Sequence, residues 1–98
     1  MSDTTKASNN RAIVTVLGSD RPGIVAAVTG ALAGHAVNIL DISQTILQGI
    51  FTMTMLVDVS ASDAEFKQIQ TELDELAESL GVQITMQRED VFNFMYRL

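Results

Sequence analysis

The residues best suited to binding chemistry lie in one short turn, residues 18–24, with the sequence GSDRPGI. The proline of this turn is expected at the first position of a helix, which makes Arg21 the N-cap. Because an arginine side chain has no oxygen to accept from first-turn amides, the N–H groups of Gly23 and Ile24 need water, Asp20 or a ligand as partner. Such a helix start favours an anion such as a carboxylate, although the same residues also form ordinary turns.

A second group of polar residues lies in the apolar run 37–47. Its members are Asn38, Asp41, Ser43, Gln44 and Thr45. In a regular strand Asn38 and Asp41 point to opposite faces, so a single site would need a bulge between them. Two interpretations of Asp41 and Gln44 stay open: they keep an edge strand soluble, or they belong to a binding site. Asn38 is predicted to lie within reach of the first turn or of its copy in a partner, and its amide suits an amino acid head group.

The chain offers no recognisable catalytic or metal-binding set. It has no cysteine and a single histidine, His35, which has no aspartate, serine or metal-ligand partner at a recognisable spacing. His35 is therefore predicted to be a structural or surface residue. Arg21 and Asn38 are the residue types of an acylphosphatase-like loop, but the rest of that pattern is absent. The sequence predicts no catalytic residue, no cofactor and no metal.

Composition narrows the classes of partner. The 98 residues fit one domain, and the formal net charge of −6 argues against nucleic acid and anionic membranes. The acidic residues concentrate between positions 63 and 78, where a solvated helix face accounts for them. No apolar run approaches the roughly 18 residues that span a bilayer, and residues 1–10 are polar. A soluble, cytoplasmic protein is expected.

Hydrophobic periodicity predicts the order β-α-β-β-α-β. Strands are expected over 12–17, 37–47, 50–59 and 82–86, and helices begin near residues 22 and 62. A capping box of Ser62 and Glu65 is expected to open the second helix, and Gly81 to close it. With right-handed crossovers this order gives an α+β, ferredoxin-like sandwich, a four-stranded antiparallel sheet with two helices on one face.

The residue pattern of the predicted third strand indicates that the chain associates with itself. Phe51, Met53, Met55, Val57 and Val59 share one face, whereas Ile50, Thr52, Thr54 and Leu56 share the other. Both faces are largely apolar, so the face without helices is expected to be covered by a second copy of the chain. Residues 1–10 are expected to form a disordered arm, and residues 91–98 a short apolar helix or tail that packs on the domain or a partner.

The first turn and the second strand together resemble the ACT domain. The resemblance rests on the turn DRPGIV, the helix after it, and Val37-Asn38-Ile39, and it covers residues 11–90. The segment DISQT, the FTM start of the third strand and the apolar tail more narrowly resemble the small stand-alone ACT proteins of the UPF0237 group. In this family, effectors commonly bind between paired domains.

The resemblance implies a ligand site in the first loop and the second strand. Its residues would be Asp20, Pro22, Gly23, Ile24, Asn38 and Ile39. It also implies a non-catalytic regulatory module that binds a small molecule at a homodimer interface. The expected small molecule is an amino acid, because the loop suits a carboxylate and the Asn38 amide suits a zwitterionic head group. The alternative is a ligand-free interaction domain that holds another protein through its apolar sheet face or C-terminal tail.

Overall fold

The computed structural model of the chain describes residues 10–19 and 21–96. Asp20 lies outside the described residues, as does the predicted arm apart from Asn10. The elements are β1 (Arg11–Ser19), α1 (Ile24–Ala33), β2 (Asn38–Leu47), β3 (Ile50–Asp58), α2 (Phe66–Leu80), β4 (Gln83–Arg88) and α3 (Glu89–Tyr96). In the described ranges no helix combines the length and apolarity needed to span a membrane. The division into arm, domain and tail stays a prediction, as does a cytoplasmic location.

The four strands form one antiparallel sheet in the order β2-β3-β1-β4. The central strands β1 and β3 pair along their whole lengths, from Arg11 opposite Asp58 to Ser19 opposite Ile50. A two-residue turn, Gln48 and Gly49, joins β2 to β3, and Gly49 supplies the positive φ of 83° that such a turn requires. The predicted ferredoxin-like fold is confirmed.

The core lies between the sheet and the helices α1 and α2. Alternate residues of β1 and β3 are buried on this side, and each helix contributes a stripe at the helical spacing. The helical members of the core are Ile24, Val28, Leu32, Ile69, Leu73 and Ala77. The opposite face of the sheet, which we call the open face, carries Ile13 and Leu17 of β1 and the residues of β3 that pair with them.

The predicted capping box of α2 is wrong. The helix begins at Phe66 with Glu65 as the N-cap, whereas Ser62 Oγ accepts from the N–H of Ala64 in the preceding turn, at 3.2 Å. The serine is thus satisfied locally, in a turn that competes with helix formation. The end of the helix is as predicted, because Gly81 adopts a left-handed conformation with φ of 72°.

Candidate functional site

The first loop connects β1 to α1 and ends in a left-handed backbone position that suits glycine. Gly23 is the N-cap of α1 with φ of 91°, and the first helical hydrogen bond runs from Ala27 N to Gly23 O, at 2.9 Å. The prediction that Arg21 caps the helix is therefore wrong, because a left-handed Gly23 leaves Pro22 in the turn before it. Glycine has no side chain to accept from the first turn, so the amides that point out of this helix start are those of residues 24–26.

Arg21 belongs to the loop but turns away from it. Its Nη1 donates to the carbonyl oxygen of Leu80 at 2.7 Å, at the C-terminal end of α2. A basic group is favoured there, because carbonyl oxygens at a helix end lack helical partners. The guanidinium thus anchors the loop to the rest of the fold, which removes the main support for an acylphosphatase-like arrangement.

Asn38 and Ile39 lie at the far end of the sheet from this loop. Asn38 pairs with Asp58, which in turn lies opposite Arg11, whereas the loop follows Ser19 at the other end of β1. Eight strand residues separate the two ends by about 26 Å. Asn38 is exposed, and Ile39 is half-buried against the core. Within a single chain, the predicted site residues therefore form two groups that do not meet.

A β-bulge changes which residues of β2 share a face. The pairing with β3 shifts between Ile39 and Asp41, so that Asn38 lies opposite Asp58 and Asp41 opposite Leu56. Residues paired directly across an antiparallel ladder point to the same side of the sheet. Asn38 and Asp41 consequently share the open face with Ser43 and Thr45, while Gln44 lies on the helix side. The sequence could not locate this bulge, because no glycine marks it.

In the described part of the chain, three large apolar side chains are more than half exposed at the end of the sheet where β1 enters the first loop. Ile46, Leu47 and Ile50 are 57%, 68% and 53% exposed; the strand pairing puts Ile46 on the helix side of the sheet and the other two on the open face. They belong to the edge strand β2 and the start of β3, and β2 has a strand partner on one side only in the described sheet. Sequence reasoning assigned the exposed apolar surface to β3. Periodicity does not reveal that β2 lies at the edge of the sheet. One side of the apolar run 37–47 therefore has no neighbouring strand in the described sheet.

Asn38 stands near a small charged cluster. Arg11 Nη2 donates to Glu89 Oε2 at 2.9 Å, and Asp58 Oδ1 accepts from the N–H of Ser60 at 2.8 Å. Hydrogen bonds from the Ser60 side chain and backbone, with a smaller contribution from the charge of Arg11, hold the pKa of Asp58 below its ordinary value of 3.8. This cluster stabilises the carboxylate form at the Asn38 end of the sheet.

Ser60→Ala is expected to raise the pKa of Asp58, because it removes the largest cause of the depression. A depressed carboxyl pKa stabilises the fold above the unfolded pKa, and this contribution is lost as the pH falls below about 4. The parent should therefore lose more stability than Ser60→Ala between neutral and acid pH, by a modest amount, since Asp58 is close to solvent. NMR titration of the Asp58 carboxyl carbon measures the shift; an unchanged pKa would contradict the assigned cause.

His35 has the structural role predicted for it. Its Nε2 lies 2.8 Å from Glu72 Oε1 of α2, so the pair joins the turn after α1 to the second helix. In residues 10–19 and 21–96, no group of three or more histidine, aspartate or glutamate side chains is arranged to hold a metal ion.

The similarity of this chain to known proteins includes both the first loop and β2. The family model of the ACT domain matches residues 10–87. A UPF0237 protein of Methanopyrus kandleri is 50% identical over 88 residues, which are 90% of this chain and 98% of that protein. A UPF0237 protein of Clostridium acetobutylicum is 52% identical over 88 residues, which are 90% and 99% of the two chains.

A solved structure extends the similarity to three dimensions. An ACT domain protein from Streptococcus pneumoniae is 40% identical, with a TM-score of 0.74, and the alignment covers 84% of this chain and 92% of that one. The similarity thus includes the fold, the first loop and the start of β2.

Proposed function

We propose, on the premise that the chain belongs to the ACT domain family, that it is a non-catalytic regulatory module that binds a small molecule between two copies of itself. Domains of this family are regulatory and bind ligands. An amino acid is the proposed ligand class, because an open helix start accepts a carboxylate and an asparagine amide can meet the ammonium and carboxylate groups of a zwitterion.

The ligand carboxylate is proposed to meet the first loop. Gly23 has nothing within 4 Å of the position where a Cβ would stand, so the N–H groups of Ile24 and the next residues can be approached closely. Pro22 lies in the turn before Gly23 and completes this side of the proposed site; Asp20, outside the described residues, stays a candidate from the sequence.

A two-fold pairing of β2 strands accounts for the separation of Asn38 from the loop. In an antiparallel pair of β2 strands from two copies, the start of one strand lies beside the end of the other. The partner's Asn38 and Ile39 would then lie at the end of the sheet where β1 enters the first loop. Helix α1 begins at the same end of the sheet, because the first loop joins it directly to the end of β1.

The observation that carries the proposal is the exposed apolar cluster at this end of the sheet. Ile46, Leu47 and Ile50 lie at the end of the sheet where the first loop leads into an uncapped helix start, and their exposure is costly in water, at about 25 cal/mol for each Å² of apolar surface. A second copy would cover these side chains and enclose the loop. A ligand bound there would be shielded from water on the side that the isolated chain leaves open.

Thermal denaturation across a panel of the amino acids tests the proposal at one fixed protein concentration. An amino acid present at 100 times its dissociation constant should raise the free energy of unfolding by about 2.7 kcal/mol. For a chain of this size, the corresponding rise in the midpoint is about 10 °C or more.

A flat response across the panel would contradict amino acid binding. A flat response from a stable dimer would favour the ligand-free interaction domain instead, because the same apolar cluster suits a protein partner. A rise that is equal in the parent and in a variant of the first loop would place the ligand elsewhere.

A further inference from the structure

A cleft at the opposite edge of the sheet lies outside the proposed effector site. It has a volume of about 310 Å³ and lies between α2 and the edge strand β4. Lys67, Gln70, Thr71 and Asp74 form its helical wall. Their spacing puts them on one stripe of α2, and residues 84–87 of β4 form the opposite wall. The cleft therefore runs along the edge of the sheet.

The backbone of β4 presents hydrogen-bonding groups to this cleft. Gln70 Nε2 donates to the carbonyl oxygen of Met86 at 2.7 Å, so this carbonyl points away from β1 and towards α2. In an antiparallel strand, the N–H and C=O of one residue point to the same side, and every second residue repeats that direction. The N–H and C=O of Ile84 therefore face the cleft as well. A carbonyl oxygen has two lone pairs, so the Gln70 bond leaves Met86 one acceptor position.

Opposite charges stand at the two ends of the cleft. Lys67 and Asp74 make no ion pair within the described parts of the chain. They are separated by about 10.5 Å along the helix, which is the length of roughly three residues of an extended strand. The bond between Gln70 and Met86 places Lys67 nearer the C-terminal end of β4, and Asp74 lies nearer Ile84.

We propose that this cleft binds an extended peptide segment of a partner protein, which adds to β4 as a fifth strand. A groove between a helix and the edge strand of the described sheet fits this mode of recognition, in which main-chain hydrogen bonds hold the peptide. The segment carries an acidic group at the Lys67 end and a basic group at the Asp74 end. Because β4 is the edge opposite β2, the peptide and a second copy at β2 bind at the same time, and neither proposal depends on the other.

Selection of linear peptides from a display library on the full chain tests this proposal. Thr71→Trp places an indole in the cleft, and Gln68→Trp adds the same side chain at an exposed position of α2 that does not line it. Peptides selected on the parent should bind Thr71→Trp at least about tenfold more weakly, as expected for the loss of a hot-spot contact, and bind Gln68→Trp normally. They should also protect the amides of Ile84 and Met86 from hydrogen exchange.

Three results would overturn the proposal. The first is that no peptide is enriched on the parent relative to Thr71→Trp. The second is that the selected peptides bind both tryptophan variants equally. The third is self-association that Thr71→Trp alone abolishes in sedimentation, which would assign the cleft to a second copy of the chain. Circular dichroism of the two variants verifies that both are folded.

Discussion

Ile46→Lys is expected to convert the proposed dimer into a folded monomer. Ile46 is more than half exposed in the single chain, so lysine there costs the monomer little. In the proposed interface, the same ammonium would be buried against the start of the partner's β2 strand without an ion-pair partner. Removal of one partner from a buried ion pair costs about 3 to 5 kcal/mol, and an unpaired buried charge should weaken the dimer by a comparable amount, a factor of a hundred or more. Sedimentation velocity across a range of concentrations measures the change.

Leu17→Lys is the matched control for this prediction. Leu17 is 42% exposed and lies on the open face of β1, away from the edge of β2. The proposed interface predicts that Leu17→Lys remains a dimer. A monomeric Leu17→Lys together with a dimeric Ile46→Lys would instead assign the interface to the open face of the sheet. A parent that is a stable monomer at micromolar concentration would remove the interface altogether.

Gly23→Ala and Asn38→Ala are each expected to weaken binding of the amino acid identified in the panel by at least about tenfold. The loss of a hydrogen bond to a charged group costs about 1.5 to 3 kcal/mol, which sets this scale for Asn38→Ala. Gly23→Ala acts differently, since its methyl group occupies open space in front of the helix start. Isothermal titration calorimetry measures both dissociation constants.

Gly81→Ala separates strain from ligand contact. Gly23 and Gly81 both have positive φ, 91° and 72°, and a Cβ at either position meets nothing within 4 Å. An alanine therefore costs a similar backbone strain of about 1 to 2 kcal/mol at both sites. Gly81 follows Leu80, whose carbonyl oxygen anchors Arg21 of the first loop, so Gly81→Ala should lose stability and a smaller part of its affinity than Gly23→Ala loses. Equal losses of affinity in the two alanine variants would mean that strain alone explains Gly23→Ala.

The fold was predictable because each element carried its own signal. Alternation along β3 and the helical stripe of α2 follow from local periodicity, and the order of the elements then leaves few topologies. The helix starts were less predictable. The patterns Asp-x-Pro-Gly and Ser-x-x-Glu are each compatible with a turn and with a helix cap. In the folded chain, Pro22 and Ser62 both lie in the turn before their helix.

The parts of the site were predictable, but their arrangement was not. Residue types identified the loop at Gly23 and the amide at Asn38 as the polar features that suit an amino acid. They are separated by the length of β1 because of the way the strands pair. This pairing becomes known only when the fold is known. The bulge after Ile39 lies in an edge strand, and no residue type at positions 39–41 identifies it in the sequence.

Mixing the Gly23→Ala and Asn38→Ala variants tests most directly whether the site is shared between two copies. If one copy supplies the loop and its partner supplies Asn38, each mixed dimer contains one intact site and one doubly altered site. Random exchange of equal amounts makes about half of the dimers mixed, so about a quarter of all sites should regain the parent's affinity in calorimetry. If the mixture binds no better than the two variants measured separately, although exchange of subunits is complete, the shared site is contradicted.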